Sequence, residues 1–299
     1  MPLLILLALG AAAGVCVYLA ASLYPWVGSA PASPTRAAER QLKKEVIRRP
    51  WLARLLRSRL DPGTATGLAL TVALTFAVAG GMLLGALAYL VRSNARLVEL
   101  DASVGQWAAD HATHWSTQII TLVTDMAATP TAIVVIVVVT VVETVRVPNR
   151  WIAPFVITAV LGEVIIVNTV KQLLDRVRPT FNPIAETLGP SFPSGHSATA
   201  AALYAAVALV LARRRSPRIR ALLAGAAAGI AVAVAASRVM LGVHWLSDVI
   251  AGLAFGWAWF AVCAIAFGGR FLSFAAPVKE ATRVAERVED PVQDVKLSP

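Results

Sequence analysis

The sequence predicts an all-α, polytopic bundle of transmembrane helices, and three observations predict it. Composition comes first: 58% of the residues are hydrophobic and 15% are charged, against about a quarter charged in a soluble domain. Second, the apolar residues gather into runs close to the ~20 residues a span needs, at about 3–27, 64–91, 116–142, 151–170, 197–212, 221–241 and 249–268. Third, these runs do not alternate every second residue as barrel strands do. Helices are then the structure that satisfies the backbone in lipid.

The first run has no charge ahead of Arg36 except the terminal amine. It lacks the basic n-region of a signal peptide, so it reads as an uncleaved span over 1–30. Segment 31–63 follows, carrying Arg36, Arg40, Lys43, Lys44, Arg48, Arg49, Arg54, Arg57 and Arg59. That density of positive charge predicts a cytoplasmic segment and an N-terminus outside. The six later runs form a core over 64–268, and 269–299 is a polar cytoplasmic tail. Alternation from a cytoplasmic 31–63 puts 92–115, 171–196 and 242–248 outside, and 143–150 and 213–220 inside. Of the 27 Lys and Arg residues, 21 fall on the predicted inner segments. The net charge of +10 is thereby explained by topology and not by a nucleic-acid partner. Cys16 and Cys263 both fall in apolar runs and read as small core residues, not as a disulfide or metal pair. No internal repeat is evident.

Six basic residues fall on the predicted outer side: Arg92, Arg96, Lys171, Arg176, Arg178 and Arg238. Three of them belong to motifs. In Lys171-Gln-Leu-Leu-Asp-Arg-Val-Arg178-Pro179 the two cations are seven residues apart. On a continuing helix they lie within about 20° of each other, and Pro179 would stop that helix. Two cations on one face suit an anion with several oxygens. The plain alternative is snorkelling charge at a span end. In Pro193-Ser194-Gly195-His196, Gly195 permits a tight turn. Ser194 and nearby amides can meet an anion at a helix N-terminus, and His196 can exchange a proton near neutral pH. Here the alternative is a surface turn. In Ser237-Arg238-Val-Met-Leu-Gly-Val-His244-Trp-Leu-Ser-Asp248, the acid is four residues from the imidazole and on a helix can hold one ring nitrogen, freeing the other to attack. Gly242 marks a break, so that Arg238 ends one helix and His244 starts the next. Each motif by itself is ordinary. Together they fall on one predicted outer face, where ionisable groups at membrane level are functional candidates.

With these residues in order, the chain resembles the type-2 phosphatidic acid phosphatase superfamily, over about 64–268, with the first span as an addition. The resemblance implies a six-span core and a phosphatase acting on a lipid phosphate or diphosphate at the extracytoplasmic face of the plasma membrane. Lys171, Arg178 and Arg238 would hold the phosphate oxygens, with Ser194 and Gly195 adding hydrogen bonds. His244 would attack phosphorus to give a phosphohistidine, Asp248 would orient it, and His196 would protonate the leaving oxygen. No metal or other cofactor is required, since three fixed cations neutralise the charge that Mg²⁺ meets in other phosphoryl transfers. Phosphatidic acid, diacylglycerol diphosphate, phosphatidylglycerol phosphate and a polyprenyl diphosphate are candidate substrates. A phosphotransferase using the same nucleophile, and a non-enzymatic lipid transporter, are the alternative readings.

Outside the motifs, Asp110, His111 and His114 read as a wet amphipathic loop ahead of a metal pair. Trp107 and Trp115 read as interfacial anchors. Asp125, Glu163 and Asn168 fall within predicted spans, where polar groups need partners, and Glu163 reads as structural.

Overall fold

The computed structural model describes residues 1–23, 94–180 and 189–271, with scattered residues between 81 and 93. Among the described residues eight helices and no strand are found: α1 (Pro2–Leu23), α2 (Ala95–Asp110), α3 (His114–Asp125), α4 (Thr129–Arg146), α5 (Ile152–Leu174), α6 (Gly195–Leu211), α7 (Pro217–Met240) and α8 (Leu246–Phe271). The all-α membrane bundle of the sequence reading is what is observed. Helices α1, α4, α5, α7 and α8 contain stretches long and apolar enough to cross a membrane, and α6 is apolar but shorter. The basic 31–63 segment, most of the 64–91 run and the 272–299 tail lie outside the described residues.

The 116–142 run differs from its prediction. It is two helices, α3 and α4, divided at Met126–Ala128. Pro130, in the first turn of α4, explains the division: proline has no N–H for an upstream helix and restricts the residue before it. The predicted outer loop 92–115 is also largely helical. Asn94 caps α2 by accepting from the Leu97 N–H, and Thr113 with Ser116 forms a capping box for α3.

Helix α6 is the axis of the bundle. Every residue from Ser197 to Leu203 is buried, and α4, α5, α7 and α8 pack around it. Two glycines let α8 press its backbone onto α6. A Cβ at Gly252 would lie 2.5 Å from the Ser194 carbonyl oxygen, and one at Gly256 would lie 2.3 Å from that of Ala198. Helix α1 docks antiparallel on α7 by the same device. Gly10 and Gly14 face Gly229 and Gly225, so that the backbones touch. Its N-terminal turn packs Leu3 and Leu6 with Ile120, Met240, Leu241 and Val243. Of the two cysteines, Cys263 is buried as expected, while Cys16 is exposed on α1. That corrects the core assignment of Cys16, because α1 contacts the bundle along one face only.

The three motifs gather at one end of the bundle. At the other end, Glu143 pairs with Arg146 at 3.0 Å, Arg146 donates to the Arg213 carbonyl, and Arg213 donates to that of Val147. This ties the α4–α5 and α6–α7 connections together.

Gly256→Ala is expected to lower the thermal unfolding midpoint in detergent, by an amount equivalent to about 1–3 kcal/mol, because the obstructing atom is backbone. Gly85→Ala, where a Cβ meets nothing within 4 Å among the described residues, is the control and should leave the midpoint nearly unchanged.

Candidate active site

The α7–α8 turn carries the candidate nucleophile. Helix α7 ends in a Schellman motif: the Val243 N–H reaches the Arg238 carbonyl at 3.2 Å, and the Gly242 N–H reaches that of Val239 at 2.9 Å. Gly242 has φ 67°, a left-handed conformation that glycine adopts without steric cost. The predicted break at Gly242 is therefore observed. His244 precedes α8 and does not begin it, since the helix starts at Leu246. Asp248, in the first turn of α8, accepts from the Trp245 N–H at 3.0 Å and pairs with His244 Nδ1 at 3.4 Å. On the far side of the ring, Arg178 Nη1 approaches His244 Nε2 at 3.3 Å. A guanidinium can only donate, so Nε2 is the acceptor and Nδ1 holds the proton toward Asp248. Burial, together with the charges of Arg238 and Arg178, lowers the imidazole to about 4 against the opposing hydrogen bond and charge of Asp248. The ring is thus neutral near pH 7.

The 171–179 motif reaches the same place by another path than a continuous helix. Helix α5 stops at Leu174, and Asp175 caps it in the left-handed region at φ 41°, ψ 48°. Asp tolerates this conformation better than most residues. The predicted helical face shared by Lys171 and Arg178 therefore does not exist, and Pro179 follows the helix end by five residues. Arg178 instead extends from a loop. It donates to the carbonyls of Gly189, Pro190 and Val243 as well as facing His244. Lys171 remains on α5, within electrostatic reach of Arg178, Arg238 and Asp248.

Ser194 is the N-cap of α6 and is fully buried. Its hydroxyl oxygen accepts from the Ser197 hydroxyl at 2.9 Å, and its N–H donates to the Asp248 carbonyl at 3.0 Å. Gly195 starts the helix, and a Cβ there would lie 3.9 Å from Lys171 Nζ. His196, half-buried in the first turn, is within electrostatic reach of Arg238, His244, Lys171 and Arg178. Arg238, buried in the last turn of α7, donates to Thr124 Oγ1 at 3.0 Å, and its Nε has no hydrogen-bond partner among the described residues. The eight residues singled out from sequence therefore converge.

Two residues outside the predicted site join it. Arg176 binds Asp248 Oδ1, and donates to Ser247 Oγ and Asp101 Oδ2 at 2.8 Å each. Asp101 is buried on α2. Its signal was in the sequence: a carboxylate within the inward stripe Leu97, Asp101, Gly105 and Ala108 of an amphipathic helix. Glu163 is buried and accepts from Thr199 at 3.0 Å. Asp125 lies at the α3 end within electrostatic reach of Arg238, and Asn168 bonds its own helix at Val164. His111 stacks on Trp107, and His114 meets Gln118 at 3.1 Å. Among the described residues no group of three His, Cys, Asp or Glu side chains is arranged for a metal.

Comparison with known proteins gives the context. Residues 152–271 match the model of the PAP2 superfamily. The chain is 38% identical over 122 residues to a lipid A 1-phosphatase of Rhizobium etli, covering 38% of this chain and 48% of that protein. It is 40% identical over 91 residues to phosphatidylglycerophosphatase B of Bacillus subtilis, covering 29% of this chain and 43% of that protein. It thus spans about half the length of the curated relatives it matches. A crystal structure of a transmembrane PAP2 type phosphatidylglycerolphosphate phosphatase from Bacillus subtilis superposes with a TM-score of 0.59 and 26% identity, over 66% of this chain and 98% of that one. The region that matches the PAP2 superfamily model, residues 152–271, contains all three motifs.

Proposed function

We propose that the protein is a membrane phosphatase that removes a phosphate from a lipid phosphate or diphosphate through a phosphohistidine at His244. One observation carries the reading: His244 is held by Asp248 on Nδ1 while Nε2 faces the Arg178 guanidinium. A neutral imidazole in that tautomer has its lone pair aimed where a cation would hold a phosphate.

In the proposed reaction Nε2 attacks phosphorus and the P–O bond to the lipid breaks. Its leaving oxygen takes a proton from His196. Asp248 stabilises the positive charge that develops on the ring. Water then attacks the phosphohistidine, His196 takes a proton from it, and the P–N bond breaks to release phosphate. Lys171, Arg178 and Arg238 hold the equatorial oxygens. The buried Arg238 Nε, which has no hydrogen-bond partner among the described residues, is a donor that a phosphate oxygen would satisfy. Ser194 and the Gly195 amide at the start of α6 favour an anion.

The lipid class is supported by the site's position at span ends, where a headgroup can enter while its tails stay in the bilayer. The named activities of the relatives agree with it. The extracytoplasmic orientation is supported by charge: the opposite end carries Arg213, Arg214, Arg215, Arg218 and Arg220, as inner loops do. A purified preparation that cleaves soluble phosphate esters as well as lipid phosphates would remove the lipid specificity from this reading.

His244→Ala is expected to lower turnover of a lipid phosphate by about 10³-fold or more. Phosphate-labelled substrate quenched under alkaline conditions should leave label on a peptide containing His244; label elsewhere, or full activity in the variant, refutes the mechanism. Activity is expected to persist in EDTA, and a loss that Mg²⁺ restores would contradict phosphate neutralisation by the three cations.

The buried imidazole also gives a pH signature. The unfolded chain takes up a proton on His244 near pH 6.5, whereas the folded chain resists until about pH 4. The unfolded state binds more protons between these values, so stability falls as pH drops through that window. The fall in thermal midpoint from pH 7 to pH 5 should be larger for the wild type than for His244→Gln.

A further inference from the structure

The group that holds the nucleophile is itself held. Asp248 offers one carboxylate oxygen to His244 and Trp245 and the other to Arg176. Arg176 is anchored in turn by Asp101, whose Oδ1 accepts the Ser247 N–H at 2.9 Å and whose Oδ2 accepts from the Ser247 hydroxyl. The guanidinium lies 5.5 Å from the Trp245 ring, and Trp245 Nε1 donates to the Val177 carbonyl at 2.9 Å. The chain from Asp101 to His244 draws on α2, the segment after α5, and the start of α8, so none of it is a local accident of one helix.

We infer that Asp101 and Arg176 are positioning residues for this reaction, fixing Asp248 from the oxygen opposite His244 and setting the net charge that His244 meets. The inference rests on the reading of His244 as nucleophile. Its physical content is a charge count. Arg176 paired with Asp248 by itself would cancel the carboxylate that must stabilise a developing imidazolium. Asp101 restores one negative charge: Asp101, Arg176 and Asp248 together carry −1. Asp248 is then locked in orientation without being neutralised. The other charged groups facing this pair are cations: Lys171 and Arg178 act on Asp248, and Arg238 and Arg178 act on His244; the titratable ring of His196 lies beside it. Asp125 and Glu163 act one step away, on Arg238 and Lys171. The Asp101 carboxylate is therefore well placed to offset the surrounding positive charge.

The chain has four histidines, so selective ¹³C labelling of histidine resolves each ring by NMR, and His244→Gln assigns the signal of interest. Asp101→Asn removes a negative charge and should move the His244 titration midpoint to lower pH. Arg176→Gln removes a positive charge and should move it to higher pH. Both variants should lower kcat by about tenfold and change KM less than threefold, since neither side chain is assigned to the phosphate. Arg176→Lys should return the midpoint toward the wild type while recovering kcat in part. Shifts of opposite sign support the relay. Midpoints that stay put, or that move in the same direction, overturn it, as a purely structural role would predict. If Arg176→Gln does not fold, Asp101→Asn and Arg176→Lys still decide the question. The titration is read without turnover. An inactive wild type with opposite shifts would therefore sink the phosphatase reading and leave the relay standing, and the converse result would do the reverse.

Discussion

A single buried carboxylate organises the functional end of this bundle. Asp248 is fully buried, and an uncompensated charge there would be costly. It is compensated from three directions: the Arg176 guanidinium, the Trp245 N–H and the His244 ring. Its backbone carbonyl also accepts the Ser194 N–H, so one residue joins all three motifs. Removing its carboxylate would leave Arg176 facing Asp101 and Ser247 and would release the Nδ1 side of the imidazole.

Around that carboxylate the site is electrostatically unbalanced. Lys171, Arg178 and Arg238 crowd one another, and each feels the positive charge of at least one of the others or imposes its own. Like charges at such range oppose folding. They are retained because the scaffold holds them by carbonyl and hydroxyl oxygens: Gly189, Pro190 and Val243 for Arg178, Thr124 for Arg238. Local conflict of this kind marks functional sites, and the proposed phosphate, carrying two negative charges, would complement it.

The sequence made the membrane bundle legible because composition and run length report on the solvent a helix meets, whatever its neighbours. The site was legible for a related reason. Three of the six basic residues on the predicted outer side broke the charge asymmetry, and they came with His196, His244 and Asp248. The details that were not legible depend on contacts between distant residues. The α5 end at Leu174 is set by a left-handed Asp175, which no periodicity reveals. The division between α3 and α4 was marked by Pro130, a signal that the apolar run around it hid. Arg176 lay between two motif residues but gained its role from Asp101, 75 positions away in sequence. Asp101 itself was visible as a charge on an apolar stripe, but its partner was not.

The glycine contact between α1 and α7 has a practical consequence. Because Gly10 and Gly14 lock against Gly229 and Gly225 in antiparallel fashion, the first residues of the chain emerge beside the Leu241–Val243 turn, on the His244 side of the bundle. A fluorophore or affinity handle fused ahead of Met1 would therefore report from the rim of the proposed site. On the topology favoured here, it would be reached by impermeant reagents added outside the cell.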